Sequence, residues 1–492
     1  MLGEAVPYPL TRAGRLCVLL ALAKLALLVP ILGRYGWDRD ELYFLAAGRH
    51  LAFGYVDFPP LTAVAARLVD GTIGPSLVSL RLLSSLLAAV AAVAAGAIAC
   101  ELGASRRLQV LATAAWIVTP YGLSGAVLFH PTFLELAATA LAMLAAVRLV
   151  VRSEPRQWLL LGLWGGLGLE AKYTIIVPLA AVLAGCALWR RDLLLRRELG
   201  LGMLIALVLL APNVVWEMTH HWVSLDFASS QHAKTASDAP PLAYIGQQVA
   251  FLGAGSLLVV LGVAWLWRRP PLRPLALVSA APAVLFGLEQ GRPYYAIPAM
   301  LPALAAGCLS LAELRPRRLA LAGLGVLHLA VLALALPLVV PVLPTRQLVS
   351  TGTWNRSFWK DELGWRELVA QTSAAWRSRS AAERAHGAIV AGNYGVAGAL
   401  SLYGPAAGLP TPLSGHLSFQ YWHPSSLPQR AVLLVGFDRT DALRHCTRAT
   451  VLGVADNRRH LDNEERGRPL VWCRLRAPLG QLWDEEFATA SL

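Results

Sequence analysis

"LCVLLALAKLALLVPILGRYGWDRDELYFLAAGRHLAFGYVDFPPL", residues 16–61, changes character at its midpoint. The first half is apolar for about one bilayer thickness, roughly 17–25 residues of helix. The second half carries four carboxylates, Asp38, Asp40, Glu41 and Asp57, and a Pro59-Pro60 pair. No small-x-small cleavage site closes the apolar run, so the expectation is an uncleaved membrane helix followed directly by an acidic loop.

Outward from that stretch, the same apolar grammar repeats. The chain has 492 residues, of which 56% are hydrophobic and 15% charged, with a mean hydropathy of +0.53. Soluble domains carry about a quarter charged residues, and nothing would cover so many apolar faces in water. The periodicity predicts crossings near 16–33, 77–100, 108–128, 131–149, 156–170, 173–189, 199–216, 242–267, 275–289, 295–313 and 319–341, eleven in all. No internal repeat is visible.

The net charge of +13 is a topology signal. Of 26 Lys and Arg before residue 342, 17 cluster in alternate connections: 12–15, 106–107, 148–156, 190–197, 268–273 and 315–318. Short cytoplasmic loops are enriched in this way, so the N-terminus is expected in the cytoplasm and everything after about residue 341 outside. The same distribution excludes a nucleic-acid footprint. The expected organisation is a transmembrane module over 1–341, with an outer loop at 34–76 carrying the acids, and a soluble α/β domain over 342–492. In that tail "ELVAQTSAAWRSR" reads as a helix with Leu368, Ala375 and Trp376 on one side. "GAIVAGN", "AVLLVGFD" and "VWCRLRAP" read as strands. "VAGNYGVAGALSLYG" looks like a helix entry without dinucleotide spacing. Cys446 and Cys473 could pair if the tail lies outside; the spacing leaves that open. The polar, aromatic loop 410–422 could touch a glycan.

Asp40 to Phe53 suits an amphipathic interfacial helix, with Leu42, Leu45, Ala46 and Phe53 toward lipid or protein. Asp40 and Glu41 at its start have a plain reading as capping acids, and Asp57 one as a turn residue. Lys172 in "GLGLEAKYTIIVP" and Arg292 in "RPYYAIPAMLPALAAG" fall where crossings meet the outer face, and each could simply snorkel. Together, acids and cations supply a proton acceptor and a phosphate grip.

These three segments resemble the GT-C glycosyltransferases of the protein O-mannosyltransferase and lipid A aminoarabinose transferase type. That family carries an Asp-Glu pair after its first helix, then Tyr-x-Asp/Glu-x-Pro-Pro-Leu, here Tyr55 to Leu61. The resemblance covers about residues 15–310; "GNYGVAGALSLYGPAAGLP" and "DNEERGRPLVW" extend it into the tail. It implies a polytopic α-helical GT-C fold in a bacterial cytoplasmic membrane. It also implies inverting transfer of a sugar from a polyprenyl-phosphate donor to a hydroxyl of a glycan, lipid or protein acceptor. By resemblance, Asp40 is the catalytic base, Glu41 its partner, and Asp57 a second acid that shapes the site or, with Asp40, helps hold a divalent metal. Lys172 and Arg292 correspond to donor-phosphate contacts, although the family usually has Lys at the second position. His130-Pro131 stands where relatives often have an acid.

Tyr43, Tyr55, Tyr294, Tyr295, His220 and His221 are further candidate substrate contacts, and the polar loop 224–240 a candidate lid. The competing reading is a transporter or flippase of a lipid-linked glycan, which would place charges along a mid-membrane path. Here mid-span charges are few, Lys24 and Arg81 being the clearest.

Overall fold

The computed structural model describes residues 8, 11–236, 241–314, 317–353, 358–459 and 461–488. By internal contacts the chain forms two compact units. One comprises Met1–Leu32, Val78–Trp216 and His232–Val342; the other comprises Gly33–Leu77, Glu217–Gln231 and Leu343–Leu492.

The first unit is helical throughout. Among the described residues, seven helices are long and apolar enough to cross a membrane, within Arg12–Ile31, Leu77–Glu101, Pro131–Arg152, Arg197–Thr219, Pro270–Leu288, Pro293–Glu313 and Arg318–Val339. Pro131–Arg152 and Pro293–Glu313 are the most enclosed, each with 83% of its most apolar window buried, against 6% for Arg318–Val339. Without a hydrophobic force between helices in lipid, close packing relies on small residues. Gly262 and Gly307 show this: a Cβ on Gly262 would meet the Ala303 carbonyl at 1.7 Å, and one on Gly307 the Leu258 carbonyl at 2.0 Å.

The remaining expected crossings are interrupted. The stretch 242–267 bends by 104° between Leu242–Leu252 and Gly255–Trp267, where Gly253 adopts φ +55°. The stretch 108–128 divides into Arg106–Ile117 and Pro120–Ser124. Pro120 starts the second piece, and Thr119 caps it by accepting the Gly122 N–H at 3.0 Å. The expected crossings 156–170 and 173–189 are short apolar helices, Gln157–Leu169 and Tyr173–Trp189, and the break between them holds Lys172. Lys24 reaches inward to donate to the Gly122 carbonyl. Arg81, fully buried, donates to the Leu32 carbonyl at 3.0 Å. Both mid-span cations thus donate to main-chain carbonyls.

The second unit is built on a four-stranded sheet: β1 (Gly387–Ala391), β2 (Ala431–Val435), β3 (Cys446–Val454) and β4 (Pro469–Leu475), in the order β1-β2-β4-β3. β1 and β2 are parallel, the other pairs antiparallel. Trp365–Arg377 is helical and buries Leu368, Ala375 and Trp376. β3 carries almost no buried residue, so no apolar alternation announces it in the sequence. Cys446 and Cys473 are joined as a disulfide between β3 and β4. Around residues 37–61, the helix Arg39–Arg49 pairs with a second, Leu61–Ile73, which the sequence does not signal. Gly48 lets them meet, since a Cβ there would lie 2.8 Å from the Arg67 nitrogen. Leu42, Leu45 and Ala46 are buried while Phe53 is exposed. The segment 224–240, expected as a polar loop, is instead helical over Val223–Ala236; residues 237–240 lie outside the described ones.

Candidate functional site

The acids of the second unit separate into distinct jobs. Asp38 is the N-cap of Arg39–Arg49, accepting the Asp40 N–H at 2.8 Å, while Glu41 accepts the Asp38 N–H at 3.0 Å. This reciprocal box satisfies donors that a helix start leaves orphaned. Glu41 is fully buried, so the residue matched as partner of the base does capping work. Burial, reinforced by the charges of Asp40, Glu41 and Glu362, pushes the Asp38 carboxyl well above the usual range.

Asp40 stays half-exposed. Its Oδ1 accepts the Tyr394 O–H at 2.7 Å. Tyr394 opens the helix Tyr394–Tyr403, capped by Asn393 through the Val396 N–H at 2.9 Å. That helix packs flush on Arg39–Arg49: a Cβ on Gly398 would meet Leu42 Cβ at 2.8 Å. Arg39, next to Asp40, pairs with Glu465 at 2.8 Å and also with Glu464. The tail therefore holds the carboxylate through Tyr394 and the start of its helix through Arg39.

Asp57 accepts the Tyr43 O–H at 2.8 Å. The Tyr43 oxygen also takes the Ser418 N–H at 3.1 Å, and Ser418 Oγ accepts the Val56 N–H at 3.0 Å. Phe419 and Trp422 ring the same phenol, with centroids at 5.9 and 6.0 Å, so loop 410–422 packs over the acids. Asp57 is half-buried by surface area, yet enclosed enough that desolvation lifts its pKa to about 7. Tyr43 opposes that rise by donating to the carboxylate, and the Asp40 charge adds to it.

Tyr43 and Tyr55 are both almost completely buried. The Tyr55 hydroxyl is bound to the Ala52 N–H at 3.0 Å and the His50 carbonyl at 3.1 Å. These two tyrosines position the segment from within. His220 lies against Tyr421 with ring centroids 5.4 Å apart; His221, with φ +56°, is exposed.

The first unit gathers the cations. Lys172 Nζ donates to Thr132 Oγ1 at 3.0 Å and lies over the rings of Tyr295 at 4.3 Å and Tyr294 at 5.2 Å. Among the described residues no carboxylate forms an ion pair with it, although Glu135 is within Coulombic reach. Glu135 itself accepts the Thr174 O–H at 2.6 Å. Arg292 is exposed, lies within Coulombic reach of Lys172 and His130, and borders a cleft of about 220 Å³ with Tyr244, Phe251 and Tyr294. His130 caps Pro131–Arg152 by accepting the Thr132 N–H at 3.2 Å. Tyr294 and Tyr295 are thus cation-bearing rings rather than only interfacial anchors.

For a metal, the described residues form no group of three or more His, Cys, Asp or Glu. Asp40 and Asp57 offer two carboxylates, each holding a tyrosine O–H. Mg²⁺ accepts such a site, with about one or two protein carboxylates plus phosphate and water oxygens.

Sequence reasoning missed Asp38, Arg39, Tyr394, Ser418 and Glu465. Asp38 was legible as Asp-x-x-Glu, a capping box. Tyr394, Ser418 and Glu465 act from more than 350 residues away in sequence, and the role of Arg39 depends on Glu465; no local signal marks them.

The fold is a multi-span helical membrane fold with a small sheet in the second unit, and solved structures share it. Residues 57–216 match the family described as dolichyl-phosphate-mannose-protein mannosyltransferase. ArnT from Cupriavidus metallidurans bound to undecaprenyl phosphate is similar at 14% identity and TM-score 0.55, over 95% of this chain and 99% of that one. Its apo state gives 14% identity and TM-score 0.58, over 93% and 97%. No curated protein sequence matches the chain.

Proposed function

We propose that the protein is an inverting glycosyltransferase that moves a sugar from a polyprenyl-phosphate donor to an acceptor hydroxyl at the outer face of the cytoplasmic membrane. The observation that carries the proposal is Lys172. A half-buried ammonium with no carboxylate ion pair among the described residues, held by Thr132 and two tyrosine faces, is poised for an anion. Arg292 beside it adds a bidentate fork suited to phosphate. The matched family of dolichyl-phosphate-mannose enzymes and the similar ArnT with bound undecaprenyl phosphate support a prenyl phosphate as that anion.

In this reading Asp40 accepts the proton of the attacking hydroxyl as the hydroxyl oxygen bonds to the anomeric carbon. The bond from that carbon to the phosphate breaks on the opposite side, and the departing phosphate keeps its electron pair, stabilised by Lys172 and Arg292. A positioned acid or base of this kind contributes about 10²–10⁴-fold. Asp57 shares the site's charge and, with Asp40, would hold a divalent ion, which would supply further stabilisation of negative charge. The Cys446–Cys473 disulfide favours an oxidising compartment for the second unit, in line with the loop charges.

The test is product formation from a radiolabelled polyprenyl-phosphate sugar in proteoliposomes with an envelope-extract acceptor. Labelled product and released prenyl phosphate support transfer. Label that only changes leaflet identifies a flippase, and label bound without turnover identifies a binding protein.

A further inference from the structure

The second unit holds a cleft that the transfer chemistry does not use. It has a volume of about 290 Å³ and opens beyond the carboxyl ends of the parallel strands β1 and β2. That is where ligands lodge in open α/β sheets, and the size falls at the small end of ligand pockets, about 300 Å³ upward. Gly392 and Gly436 form its throat. A Cβ on Gly392 would meet the Gly436 carbonyl carbon at 2.9 Å, and Gly436 adopts φ +82° with Val396 within 2.9 Å of a Cβ there.

The lining mixes two aromatic rings, Phe437 and Phe487, with planar polar groups such as Asn393, Asp441, Arg444 and His445. The lining carries four carboxylates against two arginines, and each arginine is already paired. Arg444 pairs with Asp441 at 3.3 Å, Arg468 with Asp438, and His445 Nδ1 lies 2.6 Å from Glu486 Oε2. Such a surface, with donors and acceptors side by side and aromatic rings among them, matches a sugar ring's hydroxyls and apolar C–H face. A nucleotide or free phosphate fits poorly. The neighbouring helix start is already capped by Asn393, and the carboxylates of Asp438, Asp441, Glu464 and Glu486 repel anions.

The cleft also touches both devices that hold Asp40. Asn393 in its wall precedes Tyr394, the donor to Asp40, and Glu464 pairs with Arg39. We infer that this cleft is a neutral-saccharide subsite that takes the glycan portion of the acceptor. Saccharide binding stands on the cleft alone; the acceptor assignment rests on the transfer reading.

Saturation-transfer difference NMR on the full chain in nanodiscs tests it, with methyl glycosides of glucose, galactose, mannose and N-acetylglucosamine as probes and inorganic phosphate as competitor. At least one glycoside should bind. Asp441→Asn and Arg444→Gln, both at the rim, should each weaken it about tenfold or more. No binding by any glycoside, unchanged affinity in both rim variants, or displacement by phosphate would overturn the inference. If glycosides bind in an Asp441-dependent way but no labelled sugar is ever transferred, the saccharide site stands and the transfer reading fails.

Discussion

Tyr43→Phe tests whether the ionisation of Asp57 controls turnover. The substitution keeps the buried ring and removes one hydroxyl, which donates to Asp57 at 2.8 Å. Burial already lifts Asp57 to about 7, with Tyr43 restraining the rise, so roughly half the molecules carry the anion at neutral pH. A hydrogen bond to a charged acceptor is worth about 1.5–3 kcal/mol. At about 1.36 kcal/mol per pKa unit, its loss moves Asp57 upward by about one to two units. The ionised fraction at pH 7 then falls to roughly 1–10%, and turnover by about 5–50-fold. Raising the pH should restore it, because the anion reforms above the new pKa. The assay is prenyl-phosphate release in proteoliposomes between pH 5.5 and 9.5, with thermal unfolding as a control for the orphaned Ser418. An acid limb in the same place as wild type, in a folded variant, would refute the reasoning.

Other outcomes follow from the same contacts. Lys172→Ala and Arg292→Ala should weaken binding of a polyprenyl-phosphate sugar, read by native mass spectrometry; unchanged affinity in both removes them from the donor site. Glu41→Ala should cost about 0.5–2 kcal/mol of stability through the lost capping box, read as a lower unfolding midpoint, with the pH profile of turnover unmoved. Asp57 and Asp38 hold protons in the folded chain that the unfolded chain releases near pH 4. Their contribution to stability is therefore fully present below about pH 4 and is lost as pH rises through about 7 for Asp57. Asp57→Asn should flatten the fall of the unfolding midpoint across that window. Non-reducing peptide mapping should recover Cys446 linked to Cys473, with Cys17, Cys100, Cys186 and Cys308 as free thiols.

The helical membrane class was legible because apolar runs of bilayer length need no tertiary information. Helix breaks were harder: Gly253 and Pro120 look like ordinary span residues until a neighbour fixes the bend. The acids were legible as a group but not in their roles. Asp40 and Glu41 are adjacent in sequence, yet the turn of the helix sends one to Tyr394 and the other back to the Asp38 amide. Lys172 and Arg292 were visible as cations at span ends. The setting of Thr132, Tyr294 and Tyr295 around Lys172 comes from two other helical segments, which no local pattern records. β3 escaped because its residues face solvent and carry no alternation.

The central claim is that Asp40 accepts the proton during sugar transfer. Single-turnover transfer by the Asp40→Asn protein, loaded with a radiolabelled polyprenyl-phosphate sugar, measures this directly. The account expects donor loading equal to wild type and transfer slowed by about 10²-fold or more. Product formed at the wild-type rate would contradict it.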